Sequence, residues 1–155
     1  MWSILTLLCV ALPVLAFAQA RGPQVKRINP PALSRPTGYT HVVEVSGETK
    51  TIYVAGQVAS DKNGNVIGPG DMKAQAEQVF SNLEAALAAS GAKFSDVVKM
   101  NTYVTDMAKA PAMREVRTRY LGETTPASTL VQVVSLARPE FMLEIEVVAA
   151  VPAKP

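Results

Sequence analysis

Cysteine and histidine each occur once in the 155 residues, and that scarcity removes several chemistries at the outset. The one cysteine, Cys9, lies inside an apolar N-terminal run, so a chain that has lost this run carries no thiol. Disulfides, thiol nucleophiles and thiolate metal sites are then excluded together. With His41 as the lone histidine, a zinc site would have to be built from carboxylates, and no metal is expected. A serine hydrolase is equally poorly served, because no Gly-x-Ser-x-Gly elbow is present. Gly64, Gly68 and Gly70 are not followed by the Lys-Ser or Lys-Thr of a phosphate-binding loop. The formal charge is only +2, and the small basic clusters lack interleaved aromatics, so nucleic acid is not an expected partner.

Residues 1–20 hold the longest apolar stretch, including Leu5 to Leu12, and end in the small-residue patterns Ala16-Phe17-Ala18 and Ala18-Gln19-Ala20. That reads as a cleavable secretory signal, although no Lys or Arg precedes it. Pro13 and the short length disfavour a retained membrane anchor. The expectation is export, to the periplasm or medium, with no membrane association after cleavage. Residues 21–36 are rich in proline and basic side chains and read as an extended lead-in. Residues 37–155 read as one domain of ordinary size.

Within that domain, Thr40 to Val45 and Lys50 to Ala55 are β-rich and flank Ser46-Gly47-Glu48-Thr49, which predicts a hairpin. Asp71 to Ser90 is the strongest helix. Asp71 can cap it, Gly91 can end it, and Ala76, Val79, Phe80, Leu83 and Leu87 recur on one face. A strand over Val97 to Val104 and a helix over Ala112 to Leu121 follow, the latter with Met113, Val116 and Tyr120 along one stripe. Two β-rich runs, 126–133 and 143–151, close the chain as a second strand pair. The order predicts an α+β fold, a sheet covered by two helices on one face. Val42, Val54, Tyr103, Val131 and Val133 cannot all pack under two helices, so the other face also reads as apolar, which argues for self-association.

The last strand carries Leu143-Glu144-Ile145-Glu146, and alternation puts the two carboxylates on the face opposite Leu143 and Ile145. Either they are solvated, or a pocket uses their charge.

Gly38-Tyr39, Tyr53-Val54-Ala55-Gly56-Gln57-Val58, Val97 to Val104, Pro126-Ala127-Ser128-Thr129 and Leu143-Glu144-Ile145-Glu146 together resemble the reactive intermediate deaminase (RidA, or YjgF) family, in register from about Pro36 to Val151. The resemblance implies a chorismate-mutase-like fold, a homotrimer, and three clefts between neighbouring subunits that receive a small-molecule ligand. It also implies hydrolysis of 2-imino acids or their enamine tautomers to 2-oxo acids and ammonia without metal or cofactor. The implied cleft residues are Tyr39, Gly56, Leu130 and Glu144, with Arg114 and Ser128. Glu144 is the implied catalytic group, a base that orients or deprotonates the attacking water. Its alternative role is a carboxylate that fixes a subunit interface.

Two positions depart from that family's pattern. Its Pro-Ala-Arg-Ser run reads Pro-Ala-Ser-Thr, so Ser128 stands where an arginine would grip a substrate carboxylate. Its Phe-Asn-x-Val-Tyr run reads Met113-Arg114-Glu115-Val116-Arg117, which replaces a cleft-facing asparagine with Arg114. A hydroxyl gives one rotatable donor where the guanidinium gives a charged fork, and losing such a contact costs about 2 to 5 kcal/mol. Arg114, or Arg117 one turn on, could restore the charge; alternatively both lie on a solvated basic face with Lys109 and Arg119. Two functions stay open: a hydrolase of imines or enamines, and a non-catalytic trimer that binds a metabolite or a partner. Ribonuclease activity, ascribed to some relatives, is the remote third.

Overall fold

The computed structural model describes residues 22–153. The expected signal segment lies outside them. Strands β1 (Gln24–Ile28), β2 (Val42–Ser46) and β3 (Thr49–Val58) lead into helix α1 (Met72–Ala89). Then come β4 (Val97–Val104), helix α2 (Ala110–Leu121), β5 (Ala127–Gln132) and β6 (Leu143–Pro152). The main sheet has the order β3-β6-β4-β5, and β1 with β2 forms a separate two-stranded sheet. Among the described residues no helix is long and apolar enough to cross a membrane.

Helix α1 forms where its spacing predicts. The Asp71 carboxylate accepts hydrogen bonds from the backbone N–H groups of Lys73 (2.9 Å) and Ala74 (3.1 Å), which are otherwise unsatisfied in a first turn. Ala76, Val79, Phe80, Leu83 and Leu87 are all fully buried. Helix α2 begins two residues earlier than expected, because Pro111 fits the first turn, where its missing N–H costs nothing. Both helices cover one face of the sheet, against Met100 and Val104 of β4 and Leu143, Ile145, Val147 and Ala149 of β6. Phe80 stacks on Tyr120 at 5.2 Å between ring centroids and ties α1 to α2.

Three details of the expected sheet are corrected. The hairpin over 40–45 and 50–55 does not form as a ladder: β2 pairs with β1, drawn from the lead-in, while β3 runs antiparallel to β6. The β2 side chains are mostly exposed, and only β3 is long enough to lie along the ten-residue β6 under the helices. The last two strands are not a pair either. Strand β4 separates them, antiparallel to β6 and parallel to β5. A parallel partner needs a crossover, and α2 is that crossover. Third, the uncovered face is more polar than expected. Tyr103 and Val131 do lie on it, but Val54 pairs with Val147 and packs against the core, and Val42 belongs to the smaller sheet. Lys99, Asn101, Glu144 and Glu146 share the open face with Tyr103 and with Tyr53, which is 80% exposed.

A candidate site in two halves

Parallel pairing of β5 with β4 decides where Ser128 and Leu130 point. Ser128 is in register with the buried Met100, and Leu130 with the buried Thr102, so both face the helix side of the sheet. The loop carrying Tyr39 is fastened over them. Thr40, 2% exposed, donates its hydroxyl to the Thr125 carbonyl (2.7 Å), and its N–H to the Pro126 carbonyl (3.1 Å). Tyr39 packs edge-on to His41 at 5.2 Å, and His41 Nε2 lies 2.8 Å from the Ser34 carbonyl. Helix α2 forms the opposite wall. The resulting cleft, about 660 Å³, brings Tyr39, Ser128 and Leu130 together with Arg114 and Arg117.

The two arginines differ. Arg114 is exposed, whereas Arg117 is half-buried and its Nη2 is shielded from solvent without a hydrogen-bond partner among the described residues. Burial, and then the nearby Arg114 charge, push the Arg117 guanidinium below its usual pKa range. Gly38, at φ +72°, lets the loop turn over the guanidinium; a Cβ there would sit 3.3 Å from Nη1. Arg119, which pairs with Glu77, and Lys109 are exposed, and Arg114 is exposed at the rim of the cleft, whereas Arg117 is half-buried in it. Spacing alone could not separate them, since residues three apart share a helix face. Loop packing makes the difference.

The second half lies across the sheet. Glu144 is in register with Tyr103 and Val58 on the open face. Beside it β3 is irregular between Val54 and Gln57, and Gly56 sits in that bulge. A Cβ on Gly56 would fall into the Glu144 side chain, 2.7 Å from its Cδ. Gly56 thus makes room for the carboxylate. The Asn82 side chain on α1 holds the end of the bulged strand, donating to the Val58 carbonyl (3.0 Å) and the Ser60 carbonyl (2.9 Å).

Glu146, one repeat along, is occupied. It accepts from Asn101 Nδ2 (2.7 Å) and from the Tyr103 hydroxyl (3.1 Å), and this bond is the main cause that raises the Tyr103 pKa. Asn101 and Tyr103 were legible only as strand residues; the alternation of β4 opposite β6 is the signal that aims them at Glu146. Glu144, half-buried, has no hydrogen-bond partner among the described residues, so its lone pairs remain available to a water or a ligand. Among the described residues no three His, Cys, Asp or Glu side chains converge as a metal would require.

One chain therefore collects Tyr39, Arg114, Ser128 and Leu130 in one cleft, and Gly56 with Glu144 on the opposite face of the sheet. The first half offers cationic and hydroxyl donors, the second a carboxylate with no hydrogen-bond partner among the described residues.

The family model described as Endoribonuclease L-PSP matches residues 31–151. The chain is 32% identical over 125 residues to a 2-iminobutanoate/2-iminopropanoate deaminase of Dermatophagoides farinae, covering 80% of this chain and 94% of the relative. It is 34% identical over 100 residues to the 3-aminoacrylate deaminase RutC of Acinetobacter baylyi, covering 64% and 79%. A solved structure of a conserved Rid family protein from Yersinia pestis superposes with a TM-score of 0.72 at 37% identity, covering 81% of this chain and 97% of that one. Matched over most of its length by sequence and by fold, the chain belongs to the Endoribonuclease L-PSP family, that of the YjgF, RidA and RutC proteins.

Proposed function

We propose that this protein hydrolyses small imines, or their enamine tautomers, to carbonyl compounds and ammonia, at clefts completed between the copies of a homotrimer. The observation that carries the reading is Glu144: a carboxylate without a hydrogen-bond partner among the described residues, given its place by the missing side chain of Gly56. Such a group can take a proton from water as the oxygen adds to the C=N carbon and pass it to the nitrogen, then carry the remaining hydroxyl proton to the nitrogen as the C–N bond breaks, the carbonyl forms and ammonia leaves. The deaminases among the relatives support the same chemistry. A trimer supports it as well, because a neighbouring copy could set its open face, with Glu144, against the cleft that holds Tyr39 and Ser128. Export belongs to this reading and rests on the apolar run of residues 1–20.

Ser128 bears on the substrate. On this reading it replaces a carboxylate-binding arginine, so ordinary 2-imino acids would be poor substrates unless another cation holds their carboxylate. The same residue favours a second reading, a non-catalytic trimer that binds a metabolite or partner in the same clefts. The endoribonuclease of the family description is not favoured, since the near-neutral charge gives little hold on a phosphodiester strand.

Stopped-flow hydrolysis of 2-iminobutanoate, 2-iminopropanoate and uncharged imines generated in situ tests the proposal. Catalysis predicts acceleration over buffer that falls roughly 100-fold or more in Glu144→Gln. No acceleration across the panel would leave the binding reading.

A further inference from the structure

We infer that Arg117 is the anion-binding group of the cleft between α2 and β5, and that the ligand it takes is a small monocarboxylate. The inference rests on the reading of that cleft as the ligand pocket, and it moves the clamp from strand to helix. Three observations carry it. Arg117 lines the same cleft as Ser128 and Tyr39, so its charge and the hydroxyl on β5 border one pocket. Its Nη2 is buried without a hydrogen-bond partner, an expensive state for a guanidinium that must stay charged. Nor does a protein carboxylate neutralise it: among the described residues it joins no ion pair.

An unpaired guanidinium is free to reorient, because turning toward the cleft breaks no protein hydrogen bond. A carboxylate arriving there would satisfy the orphaned N–H groups, screen the repulsion from Arg114, and accept a further bond from the Ser128 hydroxyl. Arg114 is exposed on the rim and attracts the anion without gripping it. The planar fork suits two carboxylate oxygens, which a lysine ammonium cannot match in the same way.

The test is binding of 2-oxobutanoate, which cannot be hydrolysed, followed by calorimetry and by the Arg117 side-chain Nε–H resonance in the purified protein. Wild type is expected to bind it and to shift that resonance, while the neutral amide of the same acid binds at least about thirty-fold more weakly. Arg117→Ala should lose affinity by a similar factor, Arg117→Lys by less, and Arg114→Ala by no more than about three-fold. Equal affinity for acid and amide, an unmoved resonance, or an Arg117→Ala protein that binds like wild type would overturn the inference. The acid-amide comparison and the resonance need no variant, so they decide even if Arg117→Ala fails to fold. Loss of turnover with acid binding intact would count against the hydrolase reading alone. Turnover of uncharged imines without acid binding would count against Arg117 alone.

Discussion

Gly56→Ala should abolish imine hydrolysis, with a loss on the order of 100-fold or more, although the change adds a single methyl group. The added Cβ would stand 2.7 Å from Cδ and 2.9 Å from Cγ of Glu144, inside van der Waals contact with both. Either the carboxylate swings out of place or the bulged strand shifts, and neither is free. Asn82 holds the strand end from α1, and Glu144 belongs to β6 at the centre of the sheet. Overpacking of this kind costs about 1 to 3 kcal/mol of stability. A double-mutant cycle isolates the cause. In the Glu144→Ala background the clash is gone, so Gly56→Ala should cost clearly less there than in wild type, giving a coupling of roughly 1 kcal/mol or more in urea unfolding. An active Gly56→Ala protein, or additive stabilities, would show that the glycine serves something other than the carboxylate.

Gln75→Ala should be the most destabilising change of a polar residue, by about 2 to 5 kcal/mol. Gln75 is 0% exposed; its Nε2 donates to the Glu140 carbonyl (2.6 Å), and its Oε1 accepts from the Met142 N–H (2.8 Å). One side chain on α1 therefore satisfies two backbone groups where the chain enters β6. Truncation leaves both unpaired and opens a cavity. Gln75→Glu keeps the volume and the acceptor but loses the donor, so it should also be destabilised. Because the bridge fixes the chain two residues before Glu144, turnover should fall in the folded fraction as well. Thermal and urea unfolding read the first effect, and a change below about 0.5 kcal/mol would contradict it.

The helices were legible because local rules fix them: the Asp71 cap, the Leu83 and Leu87 stripe and Pro111 act within a turn or two. Strand partners were not legible in the same way. The hairpin expected over 40–45 and 50–55 gave way to the β1–β2 and β3–β6 ladders, and β4 entered between β5 and β6, because pairing depends on distant apolar faces that alternation alone leaves unassigned. The site followed the same division. The face of Glu144 could be read from period two, and Tyr39, Ser128 and Leu130 do meet. The burial of Arg117 could not be read, since it depends on Thr40 fastening the loop to the start of β5 across 85 positions of sequence. Nor could the collision that makes Gly56 necessary, which involves a side chain on another strand.

The two halves of the site lie on opposite faces of one sheet, so the account requires copies of the chain to meet. Sedimentation velocity of the purified protein at micromolar concentration tests this requirement most directly. A species of three copies is expected; a lone subunit would leave Glu144 facing solvent, separated by the sheet from Arg117 and Ser128, and would contradict a site shared between copies.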